Sequence, residues 1–260
     1  MIKILKYSFY DLMRSRWSYV YLAFYLLLGF VLLFLNSSLS KAIITLMNII
    51  VVLTPMIGTV FGIMYFYNSR EFTELLLAQP MKRSQIFMGQ FLGVACSLSL
   101  SLVLGLGIPF LAYGLFQSSE IWNFGMLLVI GTFLTFIFVA LAANIALLND
   151  NRIKGFSYAI LLWLFLAVIY DGLFMISLVI FSQYPLDEFA LLATVFNPID
   201  LSRILILLKL DISALLGYTG ALFQKFFGSG VGVIIAFLTL IMWTIIPVLG
   251  LIKWAKRKDF

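Results

Sequence analysis

The chain has 260 residues, 63% of them apolar and only 11% charged, with a mean hydropathy of +1.12 and a net charge of +6. Soluble domains carry about 25% charged residues, so the bilayer is the main solvent here and the surplus bases read as topology signals, not as a nucleic-acid footprint. There is no histidine and a single cysteine, Cys96, which excludes Ser-His triads, HExxH zinc sites, CxxC pairs and a disulfide framework.

The first seventeen residues, MIKILKYSFYDLMRSRW, are amphipathic. At 100° per residue Lys3, Lys6, Tyr10 and Arg14 share one arc, and Ile2, Leu5, Phe9 and Leu12 share another. The pattern predicts an interfacial helix over residues 1–16 lying in the headgroup plane, with a simple topogenic anchor as the alternative. The apolar run that follows is too long for a signal-peptide core and has no small-residue cleavage site, so an uncleaved segment is expected.

Six apolar runs, roughly 17–36, 42–67, 87–117, 122–148, 156–182 and 230–252, each supply the ~20 residues a spanning helix needs. In lipid the backbone must satisfy its own polar groups, so these runs are helices. With the N-terminus in the cytoplasm, thirteen bases fall on the cytoplasmic side (Lys3, Lys6, Arg14, Arg16, Arg70, Lys82, Arg83, Arg152, Lys154, Lys253, Lys256, Arg257, Lys258) and four on the other (Lys41, Arg203, Lys209, Lys225). The positive-inside rule therefore puts both termini in the cytoplasm. Trp17, Tyr19, Trp122 and Trp254 read as interface anchors. The sequence predicts one all-α transmembrane domain over 1–260, with no internal repeat.

Between the second and third runs the chain reads SREFTELLLAQPMKRSQIFMGQF (69–91). Glu71 and Glu74 come early, where a helix N-terminus favours acids. Leu75, Leu76 and Leu77 give an apolar side, Pro80 stops the helix, and Lys82 and Arg83 meet the anionic leaflet. A short helix pinned by spans at both ends is stiff, so a cytoplasmic partner gripping residues 69–86 would push directly on two spans. The alternative is a plain solvated loop.

Residues 183–229 form the one sizeable segment expected on the far side. Asn197-Pro198 marks a turn, Asp200 is placed to cap a helix over Leu201–Leu216, and Gly217, Gly220, Gly228, Gly230 and Gly232 punctuate the return. This segment is either a docking surface or re-entrant structure packed on the protein's own helices.

Asp171 is the one acid well inside a span, a position that costs about 2.5–3.5 kcal/mol and marks a role. No base is expected deep in a span beside it. It is either protonated, hydrogen-bonded (Thr132, Thr135 and Asn48 are possible partners) or facing water, and its role is helix packing or gating. Ser97, Ser101, Gly105 and Gly107 on the third span read as a packing face. The span methionines Met47, Met56, Met64, Met126, Met175 and Met242 suit Cu(I) in principle, but they are not closely spaced and read as apolar filler. No metal site and no catalytic residue is expected in this chain.

The run Glu71, Glu74, Leu75, Leu76, Pro80, Arg83, Ile86 and Gly89 resembles the coupling region of type-2 ABC-transporter permeases. Tyr170-Asp171 and the stretch NPIDLSR (Asn197, Pro198, Asp200, Arg203), followed by LLGYTGA, resemble the NosY-type permeases of the copper-processing system that matures nitrous oxide reductase. The resemblance implies a homodimer in the bacterial inner membrane, bound to two copies of a separate cytoplasmic ATPase. That ATPase would hold the ATP and magnesium, since this chain has no G-x-x-x-x-G-K-[ST] sequence.

It also implies an extracytoplasmic copper-handling β-helix protein as partner, docking at Asn197, Pro198, Asp200 and Arg203, while Arg70, Glu71, Glu74, Leu75, Leu76, Pro80 and Arg83 receive the ATPase. One departure is Gln90, where members often carry lysine. Within the same class, an exporter permease for a lipid or peptide remains open. A secondary carrier or autonomous membrane enzyme is disfavoured, because neither paired broken helices nor converging titratable groups occur. Lipid is the surrounding partner, and nucleic acid is not expected.

Overall fold

The computed structural model describes residues 1–36, 38–181, 183, 186–209 and 230–257. Every regular element among them is helical: α1 (Ile2–Arg14), α2 (Arg16–Leu35), α3 (Leu39–Asn68), α4 (Arg70–Leu77), α5 (Arg83–Ala112), α6 (Ile121–Leu148), α7 (Arg152–Leu164), α8 (Tyr170–Ile180), α9 (Asp187–Val195), α10 (Pro198–Lys209) and α11 (Gly230–Arg257). A five-residue π-turn, Phe165–Ile169, joins α7 to α8. Six helices are long and apolar enough to span a membrane: α2, α3, α5, α6, the α7–α8 unit and α11. The chain is a multi-pass, all-α membrane protein.

The expected spans recur with shifted ends. The third stops at Ala112 rather than near residue 117, because the chain turns at Gly114, whose φ of 91° suits glycine. The second begins at Leu39, where the Ser38 side chain accepts from the Lys41 N–H.

Helices α3 and α6 form the centre. Gly58 and Gly62, one turn apart on α3, lie against α6, and a Cβ at Gly62 would sit 3.0 Å from that of Ala142. Small residues at this spacing let two backbones approach where lipid gives helices no hydrophobic reason to associate. α5 completes the core, burying Leu98 and Leu102 beside Ile50, Leu134 and Phe138. Inside, the Tyr21 hydroxyl donates to Tyr25 at 3.0 Å, and the Tyr25 and Thr54 oxygens are 3.3 Å apart.

α1 packs one side against the bundle. Its buried stripe is Ile4, Ser8 and Leu12, while Ile2 is exposed. The stripe packs on α5 at Gly89 and Gly93, where added Cβ atoms would come within 2.9 Å of Ile4 and 2.5 Å of Ser8. One face of α1 is thus spent on protein, and Lys3, Lys6, Tyr7, Tyr10 and Arg14 point away from it.

The far-side segment differs most. α9 and α10 make a sharply bent pair, 113° between axes. The indole N–H of Trp243, midway along α11, donates to the Val195 carbonyl at 3.0 Å. The Asn197 amide donates to the carbonyl of Leu166, midway along the Arg152–Ile180 span, at 2.8 Å. The bend therefore sits at the middle of the bundle, not on its outer surface. The helix expected over Leu201–Leu216 starts at Pro198 and is followed to Lys209. The remainder, with Asp211, Gly217, Gly220, Lys225 and Gly228, lies outside the described residues.

Candidate functional site

Two polar regions interrupt the apolar bundle. Between the end of α3 and the start of α5, the eight residues of α4 bridge the two spans. Ser69 starts the helix, and it ends at Leu77, three residues before Pro80, which sits in the exposed turn to Lys82 and Arg83. Thr73 is its one buried residue. The buried Gln90 amide on α5 donates to the Thr73 hydroxyl at 2.7 Å, and that hydroxyl donates to the Ser69 carbonyl at 2.8 Å. On the same side the Phe72 ring stacks on Tyr7 of α1, centroids 4.4 Å apart.

The expected leucine side is split by this arrangement. Leu75 is 69% exposed, while Leu76 and Leu77 are half-buried. Glu71 and Glu74 are exposed beside Leu75. Arg70 pairs with Glu74 at 3.1 Å and lies 3.9 Å from Asp150 in the α6–α7 turn. Arg83 opens α5 and is also exposed. Of the predicted coupling residues, Arg70, Glu71, Glu74 and Leu75 thus form one outward face, with Leu76 at its edge. A cleft of about 450 Å³, lined in part by Tyr7, Asp11, Arg14, Tyr65 and Phe72, opens beside it.

The second region surrounds the hairpin tip. Re-entrant backbone is tolerated at membrane depth only where its polar groups are met by protein, and here they are. The Tyr170 hydroxyl donates to the Ala193 carbonyl at 2.6 Å, and Trp243 serves Val195. These are last-turn carbonyls of α9, beyond its regular ladder, and Ala193 also accepts from the Phe196 N–H at 3.2 Å. The Asn197 side chain caps α10 by accepting from the Ile199 N–H at 3.1 Å. Its amide also donates to Asp200 at 2.7 Å and to Leu166 in the π-turn.

Arg203 completes the cluster, 3.0 Å from Asp171 and 3.5 Å from Asp200 through one nitrogen. Asp171 lies five residues from its span midpoint, about 7–8 Å at 1.5 Å per residue, well inside a hydrocarbon core about 30 Å thick. Its ion-pair partner was not expected, because Arg203 read as a far-side residue. Thr132, Thr135 and Asn48 instead bond carbonyls of their own helices. Asn197 is fully buried and Asp200 nearly so. In this arrangement those two side chains are spent on the hairpin and are not presented outward, while Pro198 starts α10 within the tip. No metal-binding group of acids or cysteines occurs among the described residues.

Sequence reasoning passed over Thr73, Tyr7, Trp163 and Trp243, and left Gln90 without a role. The tryptophans carried a signal: they sit in mid-span, away from the interfaces that indole prefers. Trp163 donates to the Val52 carbonyl at 3.3 Å and ties α7 to α3.

Six spans, a helix bridging two of them at one end and a polar re-entrant tip within define a multi-pass helical membrane protein. No family model matches the chain. It is 29% identical over 161 residues, 60% of its length, to the probable ABC transporter permease protein NosY of Stutzerimonas stutzeri. The chain spans about half, 52%, of that protein's length.

Proposed function

We propose that the chain is the membrane subunit of an ATP-driven complex, working as a homodimer with two copies of a separate cytoplasmic ATPase that bind ATP and magnesium. The geometry of α4 carries the reading. Its inner face is fastened to α1 and α5, while Arg70, Glu71, Glu74 and Leu75 face outward. A partner that grips the outward face pushes on α3 and α5 together. Both termini lie in the cytoplasm of a bacterial inner membrane, supported by the thirteen-to-four distribution of bases.

The similarity to a NosY protein supports a finer reading. Nucleotide-driven motion of the spans serves copper-site maturation of nitrous oxide reductase through an extracytoplasmic copper-handling partner. The bistable element is the pair of span bundles, biased by the nucleotide state of the ATPase.

The test is affinity purification of the tagged chain from its native host with and without Leu75→Arg. The expected result is an ATPase that co-purifies with the unaltered chain and is lost from the variant, whose thermal stability is unchanged because Leu75 is exposed. Equal recovery of the ATPase with both would refute the role of α4. The copper reading predicts that deleting the gene leaves nitrous oxide reductase without its copper sites, and normal metal loading would remove it.

A further inference from the structure

We propose that Gln90 and Thr73 are positioning residues forming the joint through which displacement of α4 enters the membrane bundle; this rests on the reading that a partner grips α4. Among the described residues, α4 is tied to its neighbours through Arg70, Phe72 and Thr73. The Arg70 contacts to Asp150, 3.9 Å to its carboxylate and 3.4 Å to its carbonyl, are exposed, so solvent screens them and they constrain little. The Tyr7–Phe72 stack is face-to-face and can slide at small cost. The Gln90–Thr73 bond differs in kind: both residues are buried, the distance is 2.7 Å, and no water is at hand to replace either partner.

The bond is fixed at both ends. The Thr73 hydroxyl has only one proton, and it is committed to the Ser69 carbonyl, so its oxygen receives the Gln90 amide in one orientation. Among the described residues the Gln90 amide bonds the Thr73 hydroxyl, and its own side-chain carbonyl oxygen has no partner. Gln90 lies between Gly89 and Gly93, where α1 crosses α5 so closely that Ile4 and Ser8 leave no room for a Cβ. α5 therefore cannot shift at Gln90 without taking α1 with it. A push on α4 reaches two helices through one amide.

The experiment separates the bond from simple stability. Thr73→Val strands the Gln90 amide, Thr73→Val/Gln90→Leu removes both polar partners and strands nothing, and Thr73→Ser retains the hydroxyl. Hydrogen exchange of residues 70–78 in the purified chain should quicken about tenfold or more in Thr73→Val. It should stay fast in the double variant while α3 and α5 keep wild-type protection, and return to within about threefold of wild type in Thr73→Ser. In complex with the co-purifying ATPase, the double variant should keep the ATPase bound, since the outward face is untouched. Its hydrolysis rate should fall to that of the ATPase alone.

Unchanged exchange in Thr73→Val and the double variant would overturn the joint. So would fast exchange combined with wild-type, chain-dependent hydrolysis. If the unaltered chain recovers no ATPase, the transmission falls together with the proposed function. The exchange data distinguish that failure from failure of the joint alone.

Discussion

The Arg203 cluster makes the sharpest quantitative prediction. Its guanidinium lies 3.0 Å from Asp171 and 3.5 Å from Asp200, so Arg203→Gln leaves two carboxylates at membrane depth with no base between them. Removing one partner of a buried ion pair costs about 3–5 kcal/mol. The side chains of Arg203 and Asp171 remain 25% and 28% exposed, which lowers the expectation to about 2–3 kcal/mol. At about 2–4 °C per kcal/mol for a chain of this size, the unfolding temperature in detergent should fall by roughly 5–10 °C.

Asp171→Asn should cost less, about 1 kcal/mol, because Arg203 keeps Asp200. The double variant Asp171→Asn/Arg203→Gln should be less destabilised than the sum of the singles by about 1 kcal/mol, the signature of direct coupling. Thermal unfolding of the four purified proteins, followed by intrinsic fluorescence, measures all of this. An Arg203→Gln protein within about 1 °C of wild type, or strict additivity in the cycle, would refute the paired arrangement.

Trp243→Phe keeps the ring but removes the donor to Val195; it should cost about 1 kcal/mol and raise hydrogen exchange selectively at residues 190–200. Gly93→Leu should abolish the native α1–α5 crossing, because even a Cβ there meets Ser8 at 2.5 Å and the Phe9 nitrogen at 3.0 Å. Limited proteolysis within residues 1–16 would report it. Gly107→Ala on the same helix meets nothing within 4 Å and should leave stability within about 0.5 kcal/mol of wild type.

The spans and the bridging helix were legible because their signals are local. Apolar length marks each span, and Ser69 and Pro80 bracket α4. The re-entrant pair was legible only as one of two alternatives, because Asp200 and Arg203 interrupt its apolar run and so gave it equally the look of an extramembrane loop. Those charges are admissible at depth only because Asp171, 32 positions before Arg203, and Asn197 meet them, and a pairing at that separation has no local signature. The same holds for Gln90. A lone amide in an apolar run says that a partner exists, but only the packing of α4 against α5 says that it is Thr73. The π-turn at Phe165–Ile169 left no trace in composition, since its residues suit an ordinary helix equally well.

That π-turn divides the fifth span into two mechanically different halves. α7 is fastened to the core: Ala159 is buried, Trp163 holds the Val52 carbonyl, and Gly155 lies against Tyr67 at the C-terminal end of α3. α8 has no buried residue, and Tyr170 and Asp171 tie it to the hairpin, to Ala193 and Arg203. A π-turn replaces the regular ladder with a wider, weaker turn, and here one of its carbonyls, Leu166, is engaged by Asn197 at the hairpin tip. The polar cluster sits where the two halves meet, and the mutual pairing of Asp171, Asp200 and Arg203 is what makes charges admissible at a depth where each alone is costly.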